Sequence, residues 1–368
     1  MNKTARWVPA LAAPVVIIGG ALAWPAIASA SSPLPDKTPA QVLALVAKSD
    51  TAAYSGTVQQ TSDLGLPDLS ALEKQLGAAG ASSNNLLDLL TASHTAKIYT
   101  DGGSKQRLQV LDSLAERDVV RSGDSVWLYD SSQSAATHLV FTGGAKKKDA
   151  SREASAAPEV TPTQLATQLI AQLQPTTGFD VSSSDRVAGR ATYRLTLTPK
   201  AADSLVADAT VAVDAHTGVP LEVSVYAKGQ SSPAVQVKFS SIRYGSPAAD
   251  VFRFSPPKGA KVETQQITPQ DLAGARGDAP KLSGAQKPTV IGTGWDAIAE
   301  LPAGSLDLSQ LTQQAAQSGA DASAMLNLLQ QVDGGRGIQT SLVSVLITDD
   351  GRVLAGAVPL TALENAAK

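Results

Sequence analysis

Three successive stretches of the chain alternate apolar and polar residues with a period of two: Val211/Val213, then Leu221/Val223/Val225, then Val235/Val237/Phe239. Alternation of this kind places every second side chain on one face of a sheet, so one face is apolar and the other is wet. The turns between the stretches are short, as at His216-Thr217-Gly218, and short turns between strands favour an antiparallel meander. A sheet with one apolar face must bury that face under helices or under an apolar ligand. This requirement constrains the 368-residue chain more than any other feature.

The same texture begins earlier. Strands are expected near 54–61, 96–99, 105–113, 116–122, 125–130 and 138–141, broken by Asp101-Gly102-Gly103 and Gly123-Asp124. Further strands are expected near 187–199, 210–214, 220–227 and 234–244. Thr38-Pro39-Ala40-Gln41 reads as a capping box with proline at the first helical position, opening a helix over 38–49. Thr161-Pro162-Thr163-Gln164 repeats it, and Leu165, Leu169, Ile170 and Leu173 line one face of a second helix that stops before Pro175. Between 63 and 93 the texture is different: leucines in helical spacing, with Leu86, Leu87 and Leu90 among them. This insert reads either as a helix packed on the core or as a flap facing a cavity. Lys146-Lys147-Lys148 reads as a solvated loop.

Pro256-Pro257 should end strand pairing, because proline cannot donate to a ladder. Residues 263–288, rich in Gly, Pro, Gln and Lys, read as a linker. A small second unit follows at 289–368. It has a strand at 289–291, helical spacing over 306–332, and strands at 338–348 and 352–359 joined through Asp349-Asp350-Gly351, an Asp-Gly hairpin signal. A short helix from Thr361 closes the chain.

The N-terminus reads as a Sec-type export signal over residues 1–30. Lys3 and Arg6 precede an apolar stretch that ends in Ala28-Ser29-Ala30, a small-residue cleavage pattern before Ser31. The alternative is an uncleaved anchor, since the stretch is long enough to span a bilayer, although Pro9, Pro14 and Pro25 weaken a continuous helix. The expected location is therefore extracytoplasmic, in the cell envelope or secreted. The chain has no cysteine, which excludes disulfides, thiolate zinc sites, a cysteine nucleophile and a lipid-modified N-terminal cysteine. The formal net charge of −3 shows no basic stripe for nucleic acid. His94, His138 and His216 show no metal-ligand spacing, and no G-x-S-x-G elbow, P-loop or dinucleotide glycine pattern occurs. No cofactor and no enzymatic activity are expected; a hydrolase with a dispersed site is the minor alternative.

Three motifs carry a family resemblance over residues 38–262. They are Gly123-Asp124-Ser125-Val126-Trp127-Leu128-Tyr129-Asp130, the step from Val211-Ala212-Val213-Asp214 to Pro220-Leu221, and the closing Phe252-Arg253-Phe254-Ser255-Pro256-Pro257. In order and spacing they resemble the LolA-like lipoprotein carriers and the RseB/MucB sigma-factor regulators. The resemblance implies an α+β fold: a strongly curved, unclosed antiparallel half-barrel with a helical lid over 31–262, plus a small C-terminal α+β domain. It implies an apolar cavity for acyl chains of a lipid or lipoprotein, and peripheral contact with a membrane surface. The cavity candidates are Leu108, Val110, Trp127, Tyr129, Val211, Val213, Val223, Val225, Val237, Phe239, Phe252 and Phe254. The lid candidates are Leu86, Leu87, Leu90, Leu165 and Leu169. The plain alternative for each of these residues is core packing. Trp127 and Tyr129 share one parity, and so do Phe252 and Phe254. In the carriers an arginine near the position of Arg107 helps to hold the lid. Plain carriers end near the closing motif, whereas RseB-type regulators add a C-terminal domain. That domain implies the second reading: an envelope-stress sensor acting through a membrane-bound anti-sigma factor. The alanine-rich composition resembles that of high-GC actinobacterial proteins.

Overall fold

Short turns and alternating strands build the large sheet. The computed structural model describes residues 34–49, 52–66, 93–111, 115–142, 162–268, 289–304 and 329–368. The expected export signal, the leucine insert with Leu86, Leu87 and Leu90, the lysine run, the linker beyond residue 268 and most of the 306–332 helix lie outside the described residues.

The first six strands are β1 (Ala53–Ser62), β2 (His94–Asp101), β3 (Lys105–Leu111), β4 (Glu116–Ser122), β5 (Ser125–Asp130) and β6 (Ala135–Phe141). The next six are β7 (Thr177–Val187), β8 (Arg190–Pro199), β9 (Val206–Asp214), β10 (Pro220–Ala227), β11 (Val235–Tyr244) and β12 (Lys261–Ile267). They form one open sheet in the order β12-β6-β5-β4-β3-β2-β1-β11-β10-β9-β8-β7. Every neighbour is antiparallel except β12, which runs parallel to β6. Register shifts at Thr57/Val58, Ser182/Asp185 and Pro220/Glu222 mark bulges, which bend and twist the strands that carry them. The sheet is curved and does not close on itself.

Two helices belong to this part, α1 (Pro39–Lys48) and α2 (Pro162–Leu173), and they pack on each other. The start of α1 is fixed by its sequence. Thr38 Oγ1 accepts from the Gln41 amide, and Gln41 Oε1 accepts from the Thr38 amide at 2.9 Å, a reciprocal capping box. Val42 and Ala44 are buried where α1 meets β7, β8 and β9. The lead into α1 is pinned as well: the Tyr193 hydroxyl donates to the Pro35 carbonyl at 2.8 Å, and the Lys37 ammonium sits over its ring. Gly218 is the residue the β9–β10 turn requires. Its φ is +76°, and a Cβ there would stand 2.1 Å from the Leu45 carbonyl oxygen.

The same turn is tied down by a buried carboxylate. Asp214 has no solvent exposure and accepts from Arg190 Nε at 2.7 Å, from the amides of His216 and Thr217, and from the Tyr244 hydroxyl. Burial alone would raise its pKa. The hydrogen bonds from Arg190 and from the two turn amides outweigh that effect and hold it at about 2. A carboxylate depressed in the folded state stabilises the protein above its unfolded pKa, and that contribution fades as pH falls from about 4 toward 2. Asp214→Asn is therefore expected to lose about 2 kcal/mol at pH 7 and to show a shallower acid limb than the parent. Urea midpoints measured from pH 7 to pH 2 check this.

The second sheet is six-stranded and antiparallel, in the order β13-β14-β18-β17-β16-β15. Its strands are β13 (Thr289–Ile291), β14 (Ile298–Leu301), β15 (Gln330–Val332), β16 (Gly335–Gln339), β17 (Ser344–Thr348) and β18 (Val353–Gly356). A last helix, α3 (Leu360–Ala366), covers it. Ile298, Leu346, Leu354, Val358, Leu360 and Leu363 make the core between them. Hydrogen bonds tie this sheet to the large one: Trp295 Nε1 donates to Thr177 Oγ1 at 2.8 Å, and the Leu205 amide donates to the Ala357 carbonyl at 2.7 Å.

Several sequence expectations are corrected. The 187–199 stretch is two strands, because Ala188 and Gly189 both take positive φ (49° and 76°) and reverse the chain. Of β7 only its last residue, Val187, falls in the expected strand, since Ser182, Ser183 and Asp185 dilute the apolar alternation before it. The 338–348 stretch also splits, because the Thr340 hydroxyl accepts from the amides of Leu342 and Val343 and turns the chain. Residues 330–332 are a strand, not the end of a helix. β12 occupies the start of the expected linker, so the expected boundary at 262 falls inside a strand. The Asp349-Asp350-Gly351 hairpin forms between β17 and β18, with Gly351 at φ +83°.

Candidate functional site

Register assigns each strand residue to a face of the large sheet, because residues paired across neighbouring strands share a face. Val110 pairs with Ala96, Ala96 with Val58, and Val58 with Phe239. Val237 lies two residues from Phe239 on the same face and pairs with Val223, which pairs with Val211. Val225 and Val213 follow by alternation, as does Leu108 from Val110. Eight of the twelve cavity candidates therefore share one face. This is also the face on which Tyr193, paired with Val213, reaches the lead into α1.

These eight do not share one fate. Val213 is fully buried, and Phe239 is nearly so and packs with Val58 and Leu221 in the core. Leu108, Val223 and Val237 instead keep 39%, 43% and 38% of their surface exposed. Leu108 pairs with Val119 and Val119 with Leu128, a row across β3, β4 and β5, and these two partners are 39% and 38% exposed. Ile98 on β2 extends the row. The face thus carries an aliphatic row with no aromatic and no charge in it, which the chain's described helices leave wet. Contiguous exposed apolar surface of this kind marks a binding face.

The aromatic candidates lie elsewhere. Trp127 and Tyr129 alternate with Leu128 and stand on the opposite face, paired with Val120 and Asp118. Trp127 stacks on His138 with ring centres 4.0 Å apart, and Phe254 packs against both Trp127 and Tyr129. Phe252 is buried at the end of a 3-10 turn, Ala249–Phe252, so the shared parity of Phe252 and Phe254 does not correspond to a strand face. The expected lining therefore divides between the two faces: Trp127, Tyr129, Phe252 and Phe254 pack the far side of the sheet, and seven aliphatics with Phe239 stand on the near side.

Arg107 is also on the far side. Its guanidinium clamps Asp118 with two hydrogen bonds (3.1 and 2.8 Å) and donates to the Val251 carbonyl at 3.3 Å. Among the described residues it therefore anchors the 3-10 turn rather than a helix, the role that the resemblance implied. Of the lid candidates, Leu169 is an exposed residue of α2, and the side chain of Leu165 is outside the described set.

Sequence reasoning missed Val119, Leu128 and Ile98. A signal for the first two was present. The two-residue turn Gly123-Asp124 pairs Ser122 with Ser125, and counting back from it sets Val119 opposite Leu128. Among the described residues no three His, Asp or Glu side chains converge in a way that could hold a metal. No described helix is long and apolar enough to cross a membrane.

The sequence matches the model of the MucB/RseB N-terminal domain over residues 87–270, half of the chain. No curated protein matches it significantly. Among solved structures, the MucA/MucB complex of Pseudomonas aeruginosa aligns at 18% identity, covering 89% of this chain and 96% of that one, with a TM-score of 0.43. A structure of MucB in complex with MucA(peri) aligns at 17% identity, 90% and 97% coverage and a TM-score of 0.43. A LolA superfamily protein from Nitrosomonas europaea aligns at 10% identity over 60% of this chain and 99% of that one, with a TM-score of 0.23. The match to that domain over half of the chain shows that the protein belongs to the MucB/RseB family.

Proposed function

We propose that this protein is an exported, non-enzymatic binding protein that holds acyl chains of a lipid or lipoprotein against the aliphatic face of its half-barrel. One observation carries the reading: the exposed row Leu108–Val119–Leu128, with Val223 and Val237 on the same face. An acyl chain gains about 0.8 kcal/mol for each methylene taken out of water, so an aliphatic face needs no specific chemistry to hold one. The reading places the protein outside the cytoplasmic membrane, with residues 1–30 as its export signal, no cofactor and no nucleic-acid partner. The test is native mass spectrometry of the purified protein, followed by organic extraction. A stoichiometric acyl-chain adduct is the expected result. A clean apo mass with no uptake of added fatty acid or lipopeptide would overturn it.

The family match favours a second reading, regulation of a sigma factor through a membrane-bound anti-sigma factor. The structures named for MucB with MucA support it, and the additional sheet at 289–368 is a surface that a plain carrier lacks. Co-precipitation of an anti-sigma factor with the full chain, lost when residues 289–368 are removed, is the outcome this reading expects.

A further inference from the structure

We propose that the far face of the large sheet carries a second binding site, for a neutral polyhydroxylated ligand such as an oligosaccharide. A cavity of about 660 Å³ opens there, between β3–β5 and the segment that follows the 3-10 turn. Cavities of this size lined by rings and a few convergent polar groups are the usual form of a small-ligand site. The proposal rests on this cavity alone and is independent of the acyl reading.

Three properties of the lining select the ligand class. Its charges cancel: the carboxylates of Glu116 and Asp118 face the guanidiniums of Arg107 and Arg253, so neither a cation nor an anion is favoured. Its polar groups both give and take. Burial pushes the Asp118 carboxyl up, whereas the hydrogen bond from Gln109 (2.6 Å) holds Glu116 down. Both carboxylates accept, and the Arg253 guanidinium, which has no side-chain partner among the described residues, donates. A sugar hydroxyl is both donor and acceptor and can use all three. Its wall is aromatic: Tyr129 and Phe254 lie tilted at 42° with centres 5.5 Å apart, a surface suited to the C–H face of a pyranose ring.

The experiment is titration calorimetry on the full chain with maltotriose, chitotriose and mannotriose, and with the trigalacturonate anion and the chitosan-trimer cation as charged counterparts. At least one neutral trimer is expected to bind saturably, and both charged trimers at least about tenfold more weakly. Arg253→Ala and Phe254→Leu are each expected to weaken the neutral trimer about tenfold or more. Arg253 is exposed, so its replacement leaves the fold intact. Saturable binding by none of the neutral trimers, tighter binding of a charged one, or unchanged affinity in both variants would each overturn the proposal. Fatty-acid uptake measured on the same samples reports on the opposite face, so failure of one site is distinguishable from failure of the other.

Discussion

Replacing Val119 by glutamate is expected to abolish acyl-chain uptake while leaving the protein folded. Val119 sits at the centre of the row between Leu108 and Leu128, and 39% of its surface is already wet. In the unliganded protein the new carboxylate faces water, so the stability change should stay within about 1 kcal/mol. Once an acyl chain lies along the row, the charge has to be desolvated or neutralised, and that cost is several kcal/mol. Affinity should therefore fall by about two orders of magnitude or more. Val119→Leu should retain it. Displacement of a fluorescent fatty acid, read beside a circular-dichroism melt, checks both halves. Undiminished uptake in Val119→Glu would place the ligand elsewhere.

The largest stability loss is expected from Arg107→Ala. Asp118 is only 3% exposed and receives both arms of the Arg107 guanidinium, which also holds the Val251 carbonyl. Removing the arginine leaves a buried carboxylate without its counter-ion and releases the 3-10 turn, a change that costs about 3–5 kcal/mol where such pairs are broken. Much of the loss should come back in the double variant Arg107→Met/Asp118→Leu, which leaves no charge behind. Urea unfolding of the parent and the two variants decides it. A loss below about 1 kcal/mol in Arg107→Ala would mean that solvent screens the pair as it does a surface ion pair.

What the sequence made legible is what local chemistry determines. The Thr38–Gln41 capping box, the Gly123-Asp124 and Asp-Gly hairpins, and the alternating β9–β11 meander could be read because each is set by neighbours in the chain. β12 was not legible. It is an edge strand rich in Lys, Glu, Thr and Gln and almost wholly exposed, so it has no apolar alternation to announce it. Polar side chains on such an edge are how a sheet avoids pairing with strangers, and that protection hides the strand from pattern reading. The candidate site was half legible for a related reason. Trp127 and Tyr129 are the prominent apolar residues of β5, yet they face away from the aliphatic row, and the smaller Leu128 between them belongs to it. Composition favoured the rings; only strand register, a relation between distant segments, separates the two faces.

The pairing of β1 with β11 sets Tyr54 opposite Tyr244. A polypeptide made or delivered N-terminus first therefore presents β1–β6 long before the strand that completes them exists. Until residue 244 arrives, β1 has an open edge, and the apolar face beside it has neither its core partner Phe239 nor the layer behind it. Contacts this far apart in sequence form late and slowly, because the intervening loop must be closed first. The half-finished sheet is then at its most adhesive during biogenesis. A cell producing this protein must shield the nascent intermediate or delay its folding until the last strands are available.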